Sequence, residues 1–199
     1  YNVSQGITGY TKIRLRRVTE IMNIWHDISP KRITKDKFYA VIEISKGGKN
    51  KYELDKETGM LKLDRVLFTS THYPANYGFI PRTFADDGDP LDVLVLCSET
   101  IQPMTLVECK PIGVLNMVDN DSCDEKIIAV PVNDPNYNCY SDISELPKHY
   151  FEEIQHFFQV YKTLEADKVT SVTETDGVDK AKELSLIHIS EPTRPLYIS

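Results

Sequence analysis

The 199-residue chain has no uninterrupted apolar run that approaches the roughly 20 residues needed to cross a bilayer. Its N-terminus also lacks the charged region, apolar region and cleavage site of a secretory signal. These two absences give no support to a membrane or secreted protein, and we therefore expect a cytoplasmic location.

The chain also has few cysteines, and its basic residues are fewer than its acidic ones. The four cysteines form no CxxC pair and have no histidine nearby at zinc-binding spacing; they are Cys97, Cys109, Cys123 and Cys139. We expect four reduced, partly buried thiols. The net charge of −7 disfavours a nucleic-acid-binding surface, which is normally basic. An anionic substrate remains possible if metal ions intervene.

What the chain does contain indicates one globular domain with a sizeable core. Hydrophobic residues make up 41% of the sequence and charged residues 27%, as in ordinary soluble proteins. Residues 1–21 are polar with a basic patch, and we interpret them as upstream or non-native. Residues 185–199 continue neither the pattern nor the composition before them, and we interpret them as a non-native tail that truncates a C-terminal helix. The domain is then residues 22–184.

Short strand-like runs dominate the first two thirds of this domain. Three of them lie between residues 38 and 68, separated by glycine-containing turns, and a meander is the simplest topology. Further strands are predicted at 93–96, 105–109, 112–118 and 126–132, which favours a small barrel or sandwich. An aromatic stripe at helical spacing predicts a helix over 147–164. A polar turn and a second helix from 176 to 184 follow.

The stretch Asp87-Gly88-Asp89-Pro90-Leu91-Asp92 stands directly before an apolar strand and places three carboxylates within six residues. Crowded carboxylates repel one another, and protons or cations relieve the repulsion. Hard divalent ions such as Mg²⁺ or Ca²⁺ prefer such oxygen ligands. An EF-hand loop is excluded because Leu91, Asp92 and Ser98 occupy its fifth, sixth and twelfth positions. A solvated turn remains the alternative.

A second acidic group, with Asp119, Asp121 and Asp124, lies in a predicted loop between two apolar strands. Alone it is typical of a solvated hairpin loop, but two acidic loops could face each other across one metal site. Glu43 lies inside an apolar strand, where an acid is unfavourable unless it is paired or metal-bound.

In combination these residues resemble the soluble inorganic pyrophosphatases of family I, in their short bacterial form. The resemblance covers residues 22–184. The stretch from Asp87 to Val93 resembles the family's signature. Five further motifs carry the resemblance in order: Lys51-Tyr52-Glu53, Asp64-Arg65, Tyr73-Pro74-Ala75-Asn76-Tyr77-Gly78, Asp119 with Asp124-Glu125-Lys126, and His156-Phe157-Phe158 with Tyr161-Lys162. The family's fold is an α+β, mainly β structure, a five-stranded OB-like barrel with flanking helices.

The resemblance implies hydrolysis of pyrophosphate to two phosphates by direct attack of a metal-activated water. Asp89 would orient and deprotonate that water. The implied catalytic residues are Asp89, Tyr77, Lys51 and Arg65. The implied phosphate-binding residues are Lys51, Arg65, Tyr77, Lys126, Tyr161 and Lys162. The implied metal ligands are Asp87, Asp92, Asp119 and Asp124, with Glu43 and Glu53 holding or supporting further ions.

Three or four Mg²⁺ ions per site are implied, with Mn²⁺, Zn²⁺ or Co²⁺ as possible substitutes, and the short bacterial form implies a hexamer. Seven acidic site residues against four basic ones would leave a charge of −3, which repels pyrophosphate unless cations intervene. Two alternatives are a nucleic-acid-binding module on an OB-like barrel, which an acidic groove disfavours, and a structural metal-binding protein.

Overall fold

The computed structural model is built mainly of β-strands and describes residues 23–25, 27–85, 88–119, 122–166 and 170–188. The strands are β1 (Phe38–Ile44), β2 (Asn50–Leu54), β3 (Leu61–Val66), β4 (Asn76–Phe79), β5 (Asp92–Val95), β6 (Leu106–Asp119), β7 (Ser122–Cys123), β8 (Lys126–Pro131) and β9 (Thr170–Gly177). The helices are α1 (His149–Val160) and α2 (Val178–His188), and neither has the length and apolar character to cross a membrane. The predictions made for residues 1–21, Asp87, Asp121 and residues 189–199 lie outside the described residues.

Five strands close into a ring in the order β1, β4, β5, β8 and β6, and β6 returns to pair with β1. Neighbouring strands in the ring run antiparallel, except that β5 and β8 are parallel. The ring and the two helices confirm the predicted mainly β barrel with flanking helices.

The predicted meander is wrong. β1 pairs with β4 and β6, whereas β2 and β3 form a separate antiparallel hairpin. β1 is buried over nearly its whole length and therefore needs neighbours on both edges, whereas β2 and β3 are half exposed. The hairpin is tied to the ring by a side chain, because Glu43 Oε1 accepts the Leu54 N–H at 2.8 Å.

The two strands predicted at 105–109 and 112–118 are one continuous strand, β6. Pro111, which lies between the two predicted strands, is at a bulge where the register against β8 shifts between Pro111 and Gly113. Proline is tolerated at a bulge because the ladder already lacks a hydrogen bond there.

The region after α1 also differs from the prediction. Residues 170–175, predicted as a polar turn, and residues 176–177, predicted as the start of the second helix, form β9, which pairs antiparallel with the second half of β6. α1 ends at Val160, before the predicted 164, so Tyr161 and Lys162 lie in the turn that follows. α2 continues past the predicted end at 184 to His188, and Ser185 Oγ donates to the Ala181 carbonyl within it at 2.8 Å.

Both faces of the central strands are covered. Val93 and Ile127 pack in one apolar cluster that includes Leu184 of α2. The alternating residues Leu94 and Ile128 pack in another cluster that includes Phe158 of α1. Polar side chains at these strands are therefore confined to the strand ends. The four cysteines are free thiols, with Cys123 and Cys139 exposed rather than partly buried as predicted.

Candidate active site

A cavity of about 440 Å³ lies where β5 and β8 begin and β6 ends. Its wall contains every predicted site residue that the structure describes except Arg65: Glu43, Lys51, Glu53, Tyr77, Asp89, Asp92, Asp119, Asp124, Lys126, Tyr161 and Lys162. These residues are far apart in the sequence, and the pairing of strands in the ring brings them together. The register of β5 against β8, for example, places Asp92 opposite Lys126.

Lys126 is the most deeply buried charge in this wall, with 2% of its surface exposed. Its Nζ donates to Asp92 Oδ2 and to Asp124 Oδ1, each at 2.7 Å. Burial lowers the pKa of Lys126, but the two carboxylates outweigh it and hold the pKa above its usual value, so the ammonium is charged. Burial raises the pKa of Asp124 against the opposing effect of Lys126.

A second ion pair lies at the end of β6. Lys162 Nζ donates to Asp119 Oδ2, and the side chain of Lys162 is 9% exposed. The other oxygen, Asp119 Oδ1, is buried and has no hydrogen-bond partner among the described residues. A buried carboxylate oxygen without a donor is unfavourable, so this atom indicates a missing cationic or hydrogen-bonding ligand.

Three buried tyrosines complete the floor of the cavity. The Tyr77 hydroxyl donates a hydrogen bond to Asp92 Oδ2. Tyr73 packs against Tyr77 with 5.3 Å between ring centroids, and Tyr161 stacks on Phe157 at 5.2 Å. Burial raises the pKa of all three hydroxyls, so they are proton donors rather than phenolates.

The β2–β3 hairpin covers one side of the cavity. Lys51 Nζ donates to Glu53 Oε1 and lies 3.6 Å from Asp64 Oδ2. Glu43, below the hairpin, is 8% exposed. Burial raises the pKa of Glu43 to about 8, although the hydrogen bond from the Leu54 N–H opposes this effect. Glu43 therefore holds a proton at neutral pH in this arrangement.

Asp89, the predicted general base, lies at the mouth of the cavity with 60% of its side chain exposed. Its Oδ1 accepts a hydrogen bond from Lys56 Nζ at 2.6 Å, and Lys56 also lies over the Trp25 ring, 5.3 Å from its centroid. Sequence reasoning missed Lys56 because a lysine in a turn after a strand carries no distinguishing signal.

Arg65 stands behind the wall rather than in it. Its Nε donates to Glu165 Oε1 at 2.7 Å, and its Nη1 donates to Asp64 Oδ2. Its Nη2 is buried without a hydrogen-bond partner among the described residues. Glu165 was also missed, and 100 residues separate it from Arg65 in the sequence.

The donor set fits hard divalent cations, because it consists of carboxylate oxygens and includes the unpaired Asp119 Oδ1. Within the described residues, no three such side chains converge on a single metal position. Asp92, Asp119 and Asp124 each contact a lysine instead, and Asp87, the remaining predicted ligand, lies outside the described residues.

Comparison with known proteins identifies the family. The model of the family described as inorganic pyrophosphatase matches residues 40–190. The chain belongs to the inorganic pyrophosphatase family. It is 48% identical over 160 residues to soluble inorganic pyrophosphatase 2 of Chlamydomonas reinhardtii, covering 80% of this chain and 83% of that protein. It is 43% identical to the inorganic pyrophosphatase of Picrophilus torridus, covering 81% and 91%.

Solved structures of this family share the fold. The inorganic pyrophosphatase of Helicobacter pylori superposes with a TM-score of 0.76 at 44% identity, covering 78% of this chain and 92% of that one. The enzyme of Thermus thermophilus gives 0.77 at 40% identity, covering 84% and 97%. The family and the OB-like barrel predicted from the sequence are confirmed. The roles given to individual residues stay predictions.

Proposed function

We propose that this pyrophosphatase-family chain hydrolyses inorganic pyrophosphate to two phosphates by direct attack of water. The observation that carries the proposal is the alternation of carboxylates and lysines around one cavity, centred on Lys126 between Asp92 and Asp124. An anion alone would be repelled by the acids, and a cation alone would be repelled by the lysines. A complex of pyrophosphate with divalent cations matches both sets of charges.

The basic residues and the tyrosines would bind the phosphate oxygens. Lys126 and Lys162 are nearly buried, so their charges act through a medium of lower dielectric than water. Tyr161 is protonated because burial raises its pKa, and it can donate a hydrogen bond to a phosphate oxygen. Lys51 lines the cavity from the hairpin, and Arg65 lies behind the wall on the same hairpin; both would stabilise charge on the departing phosphate.

The metal ligands would be Asp92, Asp119, Asp124 and Asp87, with support from Glu43 and Glu53. Bound divalent cations would supply charge neutralisation of the phosphates and a lowered pKa for the attacking water. We propose Mg²⁺ as the ion. Binding it would require Asp92 and Asp124 to share their oxygens between the ion and Lys126, and Glu43 to lose its proton.

Asp89 would accept the proton of the attacking water at a carboxylate oxygen. Its position at the exposed mouth gives bulk water access to it, and Lys56 holds its Oδ1. Direct attack forms the bond between water oxygen and phosphorus while the bridging P–O bond breaks, with no phosphorylated side chain. Acid-quenched turnover of ³²P-labelled pyrophosphate should leave no label on the protein, and labelled protein would contradict direct attack.

The decisive experiment is phosphate release from pyrophosphate with Mg²⁺, repeated with excess chelator. Rapid release that the chelator abolishes is the expected result. A folded sample that releases no phosphate under any divalent cation would contradict the proposed function.

We propose a homohexamer, supported by the resemblance to the short bacterial form, and a cytoplasmic location, supported by relatives named as soluble enzymes. Sedimentation of the purified chain tests the first, and the distribution of the tagged protein in the cell tests the second.

A further inference from the structure

Arg65 is the one described member of the predicted phosphate-binding set that does not line the cavity. It belongs to β3, in the hairpin that pairs with no strand of the ring. Its guanidinium therefore gets no fixed position from the barrel. Whatever orients Arg65 toward a phosphate must do so through side chains.

Two carboxylates hold this guanidinium. Asp64, on the same strand, binds Nη1, and Glu165, after α1, binds Nε at 2.7 Å. The side chain of Glu165 is 6% exposed and that of Arg65 is 15% exposed. Burial lowers the pKa of Arg65, but the hydrogen bonds to Glu165 and Asp64 outweigh it and raise the pKa. This is a largely buried, charge-assisted contact, unlike a surface ion pair.

Glu165 is itself fixed relative to the other wall of the cavity. Its N–H donates to the Lys162 carbonyl at 2.8 Å, within the turn that carries Tyr161 and Lys162. The Arg65–Glu165 bond therefore joins the hairpin to the turn after α1, which are the two elements that bring basic groups to the substrate from outside the ring.

The remaining nitrogen of the guanidinium has a defined orientation because the fork is planar. Nε and Nη1 are occupied by carboxylates, whereas Nη2 is buried without a partner among the described residues. The charge of Arg65 also acts on the hydroxyls of Tyr73 and Tyr161 in the cavity floor, where it opposes the effect of burial on their pKa. Nη2 is thus the guanidinium nitrogen whose hydrogen-bonding capacity is unused among the described residues.

We infer that Glu165 is a positioning residue, which holds Arg65 through Nε so that Nη2 meets a phosphate oxygen of the substrate. This inference rests on the proposed hydrolysis of pyrophosphate. Glu165 touches no substrate atom itself and acts through Arg65.

Two variants of Glu165 separate positioning from charge. Glu165→Gln keeps an oxygen that accepts the Arg65 Nε–H and loses the negative charge, whereas Glu165→Ala loses both. A hydrogen bond to a charged group corresponds to a factor of about 10 to 100. We therefore expect kcat/KM for pyrophosphate to fall about tenfold or more in Glu165→Ala and to stay within about threefold of wild type in Glu165→Gln. Equal losses in both variants would overturn positioning.

A double-mutant cycle with Arg65→Ala tests whether the effect passes through Arg65. Adding Glu165→Ala to Arg65→Ala should change kcat/KM by less than about threefold, because the group to be positioned is already gone. If Glu165→Ala lowered kcat/KM by the same factor with and without Arg65→Ala, the result would contradict the inference. Glu152→Ala, which removes an exposed ion pair on α1, is the matched control and should leave kcat/KM unchanged.

Thermal unfolding of every variant accompanies the kinetics, so that rates are compared per folded molecule. A loss of stability without a change in kcat/KM would assign Glu165 to the fold alone and overturn the inference, as would an unaltered Glu165→Ala enzyme. A wild-type chain that does not hydrolyse pyrophosphate overturns the proposed function. An active wild type whose kcat/KM is unchanged by Glu165→Ala overturns only the role of Glu165.

Discussion

The pH dependence of stability should reveal the buried acid Glu43. In the folded chain its pKa is raised to about 8, first by burial and then by the charges of Asp92 and Glu53, against an ordinary value of 4.5. Between these two pH values the folded chain holds a proton that the unfolded chain releases. Raising the pH through this window therefore favours unfolding, and the penalty is complete only above the folded pKa.

The size of the effect follows from the width of the window. Each pH unit inside it lowers the free energy of unfolding by about 1.4 kcal/mol. Relative to Glu43→Gln, the wild type should lose about 3 to 4 kcal/mol from pH 5 to pH 8 when divalent cations are removed. The glutamine keeps an acceptor for the Leu54 N–H, so the tie between β1 and the hairpin survives. Adding Mg²⁺ should reduce the difference, because bound cations would favour ionised Glu43.

Urea unfolding at a series of pH values, followed by the fluorescence of the single tryptophan Trp25, measures this difference. The experiment contains chelator in one arm and Mg²⁺ in the other. Glu152→Gln, which changes an exposed acid on α1 that is not among the groups acting on Glu43, is the matched control. Parallel pH profiles for wild type and Glu43→Gln would refute the reasoning.

Three other variants test the site and the fold. Asp89→Asn should abolish nearly all phosphate release while circular dichroism stays native, and wild-type rates would remove Asp89 from its role as base. Lys126→Met leaves Asp92 and Asp124 buried without their shared ammonium and should lower the free energy of unfolding in chelator by about 3–5 kcal/mol; unchanged urea midpoints would contradict this. Gly78→Ala places a Cβ 1.8 Å from the Val41 carbonyl oxygen and should prevent β1 from pairing with β4. A native thermal transition in that variant would contradict the close approach.

Local patterns predicted most strands because their apolar residues are consecutive and buried, as in Val93 and its neighbours in β5. They could not predict which strands become neighbours, since the parallel pairing of β5 with β8 depends on a closed ring. β9 escaped prediction because its residues are mostly polar and half exposed. It is a strand because the long β6 offers it a free edge, which is a property of another part of the chain.

The candidate site could likewise be predicted only where local sequence patterns mark its residues. The acids could be recognised because Asp89 and Asp92 stand in one short motif before a buried strand. Their partners could not, because Lys56 and Glu165 come from distant turns and have no local signal. Residues that belong to a local sequence motif could be predicted. Residues that reach the site only through a contact with a distant residue could not, as for Lys56 with Asp89 and Glu165 with Arg65.

The two kinds of charge in the cavity are held in different ways. Most of the acids stand on strands of the ring or beside their ends, where pairing fixes the backbone, as for Asp92 and Asp119. Most of the basic groups come from the hairpin and from the turn after α1, which side-chain contacts join to the ring and to each other. A site built this way can keep a rigid carboxylate frame while the phosphate-binding groups adjust. The contacts of Glu43 and Glu165 then limit how far the phosphate-binding groups can move. The stability of those two contacts therefore affects the rate of the reaction.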